Sequence, residues 1–436
     1  MTSYMISGAE LPGGGRGDLA IRDGFFVDPK NLAGKKGTVV VDASGLVALP
    51  GLVDLHTHLR QPGLEQAETI LSGSQSAALG GFTAVHAMAN TDPVADTAGV
   101  TDLVARIGRE AGYVTVRPVG AVTRGLAGEE LSAMAAMAAS TGAVKVFSDD
   151  GKCVHDSLVM RRALEQAKVL GAVVAQHAQD PRLTIDSQMN EGALSSRLGL
   201  TGWPAVAEES IIARDVLLAE YVGTRLHVCH LSTAGSVDVI RWAKKRGIAV
   251  TAEVTPHHLL LTEDSVAGFD PLFKVNPPLR RSEDTIALRE ALAEGVIDIV
   301  ATDHAPHPSE SKECAFGEAA FGMLGLEMAL PVVIETLVKP GLIGWADVAR
   351  VLSTTPAAIG SLGGYEAPLT IGAAAHLTLV DASALAPRPR GSLSSNNPYP
   401  ENALPGRVMF TFHHGVATVI AGELVEPHVV SAGGKP

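Results

Sequence analysis

Residues 51–60 read Gly51-Leu-Val-Asp-Leu-His-Thr-His-Leu-Arg60. The run opens as a short apolar strand, Leu52–His56, and ends in two histidines separated by one residue. Working outward, further apolar strand candidates are Phe82–Ala87, Thr115–Ala121, Ala143–Phe147, Ala172–His177, Arg225–His230, Ala249–Val254 and Val296–Thr302. Helix-period segments lie between them, among them Glu129–Thr141, Ser157–Leu170, Glu208–Val222, Ala234–Arg246 and Ser282–Glu294. Gly142, Gly171, Gly223, Gly247 and Gly295 follow these helices, at the position where a left-handed backbone favours glycine. Near-continuous apolar strands alternating with amphipathic helices indicate a parallel sheet covered on both faces. Eight such units predict an α/β fold, a (β/α)8 barrel.

The ends of the chain have another pattern. Residues 1–50 carry short alternating segments, Gly17–Arg22 and Thr38–Asp42, with many glycines. Residues 366–436 are similar, with Ala375–Asp381, Arg407–Phe412 and Val416–Leu424. Both read as antiparallel β-structure, so the two ends are expected to pair into one small β-sandwich beside a barrel spanning 51–365. Ser383–Glu401, rich in Pro and Ser, reads as a surface loop.

Composition narrows the function. A chain of 436 residues with 46% hydrophobic and 19% charged residues can bury a large core. The formal net charge of −13 and the absence of a basic stripe argue against nucleic acid as a partner. An acidic surface does not attract anions either, so an anionic substrate would have to be held by local positive charge. Cys153, Cys229 and Cys314 are scattered and odd in number, which is neither a disulfide framework nor a zinc-ribbon spacing. No basic-then-apolar leader and no membrane-length apolar run is present, so the expected location is cytoplasmic, with no membrane partner.

Barrel enzymes place their chemistry at the C-terminal ends of the strands. Acid and imidazole side chains collect there in this sequence. The first strand ends in Asp54-Leu-His56-Thr-His58, the fourth runs into Ser148-Asp149-Asp150-Gly151, and the fifth and sixth end at His177 and His230. The eighth ends Ala301-Thr-Asp303-His304-Ala-Pro-His307. Two histidines separated by one residue at a strand end suit a metal ion held by neutral imidazoles. His177 and His230 could hold a second, and Asp150 and Asp303 are available as carboxylate ligands. His86, His155, His227, His257 and His258 read instead as core, supporting or surface residues. The long segment Ala305–Gly322, directly after the last strand, reads as a lid.

The first-strand motif and the barrel flanked by a sandwich from both chain ends resemble the amidohydrolase superfamily. Within it, His56-Thr-His-Leu-Arg60, Met88-Ala-Asn-Thr91, Phe147-Ser-Asp-Asp-Gly151, Val254-Thr-Pro-His-His258, Lys274-Val-Asn-Pro-Pro278 and Ala301–His307 resemble the longer bacterial dihydroorotases, over nearly the whole chain. The resemblance implies two Zn2+ per subunit, on His56, His58, His177 and His230, with Asp150 bridging and Asp303 both ligand and catalytic proton shuttle. It further implies that His58, Arg60, Asn90 and His307 meet the substrate, and that Asn276 and the backbone of Phe321-Gly322 contact its ring. The implied reaction is reversible cyclisation of N-carbamoyl-L-aspartate to dihydroorotate in pyrimidine synthesis, by a homodimer able to associate with aspartate transcarbamoylase. Two Zn2+ set against Asp150, Asp303 and a hydroxide leave the site positive, which favours an anionic substrate, and Arg60 offers a planar grip on a carboxylate.

Two features depart from the resemblance. After His177 the chain reads Ala-Gln-Asp180, where the family usually has a Glu before the Asp. Lys145 lies on the fourth strand, near the place where related cyclic amidases carry a carbamylated lysine as the bridge. Asp150 is favoured as the bridging residue, with its neighbour Asp149 as the competing assignment. Two other functions remain at this stage: another cyclic amidase, such as a hydantoinase or allantoinase, and a catalytically silent barrel partnering aspartate transcarbamoylase.

Overall fold

The computed structural model describes residues 2–401 and 403–427. Eight parallel strands form its centre: Leu52–Thr57, Phe82–Ala87, Thr115–Pro118, Val146–Phe147, Val173–Gln176, Leu226–Val228, Val250–Val254 and Ile299–Val300. The first three pair in sequence order, and so do the remaining five. Two parallel bridges, Gly120 to Phe147 and Thr57 to His304, join these groups at both edges. Ser148 N–H donates to the Gly120 carbonyl at 2.9 Å and His58 N–H to the His304 carbonyl at 2.9 Å. The ring is therefore closed, as expected of a (β/α)8 barrel. Several strands are shorter than the apolar runs suggest, because the chain leaves the ladder early to aim polar side chains into the mouth. His230 and Asp303 do so with φ of 29° and 46°.

The outer helices Ser157–Leu170, Val206–Val222, Ala234–Lys245 and Ser282–Ala293 match their expected spans closely. The helix expected over Glu129–Thr141 is reduced to Met134–Ala139. The left-handed position after it falls to Ala143, at φ 46°, rather than to Gly142. Gly142 instead permits a close approach: its N–H donates to Asp102 Oδ1 at 2.6 Å, and a Cβ would meet the Thr101 carbonyl at 3.2 Å.

Both chain ends contribute to one nine-stranded sheet. Ser3–Glu10 pairs antiparallel with Arg16–Arg22 and parallel with Thr38–Asp42. Val47–Pro50 joins the two ends by pairing antiparallel with Leu377–Leu385, Pro50 opposite Leu377. Ile6, Ile21, Phe26 and Val41 from one end share a core with Leu377, Leu379 and Phe412 from the other, which makes the sheet a sandwich closed on itself. The sheet feeds directly into the barrel through Gly51, where any Cβ would strike Thr83 at 2.3 Å, so no larger residue fits this corner.

The stretch expected as a surface loop corrects that reading. Leu385 still belongs to a strand, and beyond it the chain returns as a strap over the barrel with Asn396 and Tyr399 buried. Its polar side chains find partners inside rather than water: Ser394 Oγ donates to the Ala67 carbonyl at 2.7 Å, and Ser392 donates to buried Glu68. The 305–322 segment is also fastened. The buried Lys312 ammonium donates to the carbonyls of Pro271, Lys274 and Ala320 at 3.0, 3.1 and 2.7 Å. Among the described residues, no helix is long and apolar enough to cross a membrane.

Buried histidines away from the mouth predict acid lability. Burial lowers His86 to about 4, and burial together with His414 lowers His376 to about 3, from an ordinary 6.5. His376 packs against His413, His414 and Tyr365. Below pH ~6.5 the unfolded chain protonates these rings while the folded chain does not, so the unfolded state binds more protons. The stability that these two rings contribute is then flat above that pH. It falls as pH drops toward the depressed values, by about 1.4 kcal/mol per pH unit for each histidine. Urea unfolding between pH 7.5 and 5 should show this slope, and His376→Asn should flatten it by about one histidine's share. An unchanged slope in that variant would place the acid sensitivity elsewhere.

Candidate active site

Asp54 fixes the geometry of the first strand. Its Oδ1 accepts from the backbone N–H of His56 and Thr302 at 3.2 and 2.9 Å, and its Oδ2 from the hydroxyls of Thr57 and Thr302 at 2.8 and 2.5 Å. Strands one and eight are thereby locked together, which brings His56 and His58 against Asp303. A charge buried in an apolar strand must be fully hydrogen-bonded, and this one is.

Asp150 lies at the centre of the cluster. Its carboxylate oxygens stand 3.3 Å from His56 Nε2, 3.2 Å from His58 Nε2, 3.3 Å from His177 Nδ1 and 3.4 Å from His230 Nε2. Asp303 Oδ1 is on one side only, 3.0 Å from His58 Nε2 and 3.4 Å from His56 Nε2. Two overlapping donor groups result: His56, His58, Asp150 and Asp303, and Asp150, His177 and His230. The six side chains named for metal from the sequence are therefore in one buried cluster.

That donor set fits cations. His56 Nε2 is buried without a hydrogen-bond partner, and His177 Nδ1 and His230 Nε2 face each other at 2.8 Å. Burial pulls the His56, His58 and His230 rings down, yet neighbouring carboxylates outweigh it and hold all three above the ordinary imidazole range. Burial pushes Asp303 up, but His56 and His58 outweigh it and keep its carboxyl at about 2. Each partner stabilises the other's charge.

The three residues weighed for the bridge stand in different places. Asp149 is committed elsewhere, its Oδ1 accepting from the N–H of Val122 and Thr123 at 2.7 and 3.0 Å. Lys145 precedes its strand, donates to the Leu170 carbonyl at 3.2 Å and lines a small cavity with His86, Arg117 and Gly360. Asp150 alone of the three reaches the four histidines.

The expected substrate contacts gather beside the cluster. His58 Nδ1–H donates to Asn90 Oδ1 at 2.8 Å, which leaves the Asn90 amide N–H groups free. Arg60, at φ 60°, donates from Nε to the Pro306 carbonyl at 3.1 Å, so its terminal nitrogens remain to grip an anion. Burial lowers its guanidinium to about 10. His307 lies 3.4 Å from Arg60, and its Nε2–H donates to the Phe321 carbonyl at 2.8 Å. Asn276 Nδ2 donates to Gln179 at 3.2 Å. Arg60, His230 and Asp303 all adopt positive φ, a strain that clusters at functional sites.

Sequence reasoning missed several supports. Glu253 accepts from His56 Nδ1–H at 2.6 Å, from the His230 backbone at 3.1 Å and from His227 at 3.0 Å. Asn396, from the strap, donates to the carbonyls of Ala305 and Gly322 at 3.0 and 3.2 Å and accepts from His307 N–H at 3.1 Å. Glu253 carried a signal, a lone acid inside an apolar strand. Asn396 carried none, because nothing local ties it to residues 74 to 91 positions earlier. His227 and His257 are buried and His155 is exposed, and none of the three stands in the two donor groups around Asp150.

The comparisons agree with this architecture. A family model described as dihydro-orotase-like matches residues 45–236. The dihydroorotase of Leifsonia xyli subsp. xyli is 62% identical over 97% of this chain and 98% of its own length. That of Streptomyces coelicolor is 58% identical over 97% and 100%, and that of Mycobacterium tuberculosis 52% over 97% and 99%. Among solved structures, the L-hydantoinase (dihydropyrimidinase) of Arthrobacter aurescens superposes with a TM-score of 0.86 at 24% identity, covering 98% of both chains. The dihydropyrimidinase of Brevibacillus agri gives 0.83 at 20%, covering 97% of this chain and 96% of its own. The structural likeness establishes the shared barrel-and-sandwich fold, while the sequence identity over nearly the full length is decisive: the chain belongs to the dihydroorotase family of cyclic amidohydrolases.

Proposed function

We propose that this enzyme interconverts N-carbamoyl-L-aspartate and dihydroorotate, with the mouth cluster as its active site. The observation that carries the reading is the placement of Arg60, Asn90 and His307 beside a buried set of four histidines and two aspartates. His56, His58, Asp150 and Asp303 would hold one Zn2+, and Asp150, His177 and His230 a second. When bound, the metals supply Lewis acidity for the scissile carbonyl and its developing oxyanion. In ring opening, water adds to the amide carbonyl and the ring C–N bond breaks. Asp303 accepts the proton from the attacking water and returns it to the departing nitrogen; cyclisation runs the same transfers backward. The terminal nitrogens of Arg60 hold the substrate carboxylate, and the free Asn90 amide N–H groups add a second grip.

The solved neighbours are named for hydantoins and dihydropyrimidines, so a neutral ring is the competing substrate. A ring without a carboxylate would leave Arg60 enclosed and unpaired, at a cost of about 1–3 kcal/mol. Purified zinc-loaded enzyme should therefore turn over dihydroorotate at least ~10-fold faster in kcat/KM than hydantoin or dihydrouracil. Elemental analysis should find two zincs per chain. Equal turnover of the neutral rings would remove the carboxylate-clamp argument.

A further inference from the structure

We propose that Gln179 is a positioning residue that sets His177 and Asn276 together, fixing which nitrogen of the first meets metal and which amide atom of the second meets substrate. The inference rests on the proposed metal and substrate roles of those two residues. The chain of donors that enforces it begins at Thr184, whose hydroxyl carries one proton and donates it to the Asp180 carbonyl at 2.9 Å. Thr184 can therefore only accept from Gln179, whose Nε2 donates to it at 2.8 Å. The amide is thereby oriented with Oε1 facing the mouth.

Oε1 accepts twice. His177 Nε2 lies 2.8 Å away and Asn276 Nδ2 lies 3.2 Å away. An amide oxygen cannot donate, so His177 donates from Nε2, which leaves Nδ1 as the nitrogen turned to Asp150 at 3.3 Å and to His230 Nε2 at 2.8 Å. Asn276 is likewise held with its Nδ2 toward Gln179. Its Oδ1 is buried and has no partner, an expensive state unless a donor arrives. A cyclic ureide supplies that donor through a ring N–H. One amide oxygen thus commits a metal-ligand histidine and a ring acceptor at once.

The support for the two metal groups is unequal as a result. His56 leans on the Glu253 carboxylate at 2.6 Å, whereas His177 leans on a neutral amide. A carboxylate raises the basicity of the ring it backs more than an amide does, so the His177–His230 position should release its ion first.

The test uses full-length zinc-loaded enzyme, titrated with a chelator while zinc release and dihydroorotate turnover are followed separately. Gln179→Met removes the acceptor and should weaken the more labile zinc by about 10–100-fold. At saturating zinc the same variant should raise KM by roughly tenfold with a smaller change in kcat, since the loss falls on substrate binding. Gln179→Glu restores an acceptor and should retain zinc at least as tightly as the parent. Zinc release and KM in Gln179→Met that match the parent would overturn the proposal, as would a Gln179→Glu variant no better than Gln179→Met. If the parent binds two zincs but does not turn over dihydroorotate, the functional reading fails instead, and the chelator series still decides the role of Gln179 at His177.

Discussion

Asp303→Asn should reduce kcat for dihydroorotate hydrolysis by roughly 10²–10⁴-fold, the range a positioned proton carrier contributes. The substitution preserves size and can keep the 3.0 Å contact to His58, but an amide cannot accept and return a proton. Of the four histidines, Asp303 stands against His56 and His58, whereas Asp150 reaches all four. Loss of the Asp303 charge should therefore weaken one metal position without dissolving the cluster, and assays at saturating zinc isolate the proton-transfer defect. KM should change little, because no contact to the substrate carboxylate is removed. Asp150→Asn is the control with a different signature: both positions share that carboxylate, so zinc content itself should collapse. Near-parental kcat in zinc-saturated Asp303→Asn would move the proton carrier elsewhere and leave Asp303 as a ligand alone.

How much of this could be read from the sequence follows from where each signal resides. The barrel was legible because its strands are near-continuous apolar runs with acids and imidazoles at their ends, a local pattern with a single sense. His56 and His58 were legible for the same reason, and Asp150 was separable from Asp149 only once the backbone placed Asp149 under Val122 and Thr123. Lys145 was a reasonable rival in one dimension; in three it sits before its strand and donates to the Leu170 carbonyl. The strap of 386–401 was misread because Pro and Ser composition describes the backbone conformation of a segment, not its destination. Asn396 joins Ala305, His307 and Gly322 across 74 to 91 residues of sequence, and no period or spacing encodes such a contact. Gln179 was visible as a departure from the family pattern, but its meaning needed the Thr184 hydroxyl to fix its orientation.

Replacing Arg60 by methionine should lower kcat/KM for dihydroorotate by roughly 10²-fold or more, as expected when one member of an enclosed, hydrogen-bonded charge pair is truncated. The reasoning starts from the backbone. Arg60 holds φ 60°, spends Nε on the Pro306 carbonyl, and approaches His307 at 3.4 Å through a terminal nitrogen. The remaining guanidinium edge is thus presented ready-made, and little ordering is left for the substrate to induce. Burial lowers its proton affinity to about 10 against the pull of Asp303, Asp150 and Glu68, so at pH 7 the side chain stays charged. His307 cannot replace it, because burial together with Arg60 and Lys312 keeps that imidazole neutral, at about 3. The loss should fall mainly on KM. Lysine at this position should rescue poorly, since an ammonium offers no planar fork for a carboxylate. A neutral ring such as dihydrouracil provides the internal comparison: its turnover should be unchanged or improved in Arg60→Met, because the variant no longer leaves a charge enclosed without a partner. A parallel loss on both substrates would mean that Arg60 supports the 305–322 segment through Pro306 and that the carboxylate is bound elsewhere. A loss confined to dihydroorotate would assign substrate choice in this fold to the arginine two residues beyond the second histidine of the first strand.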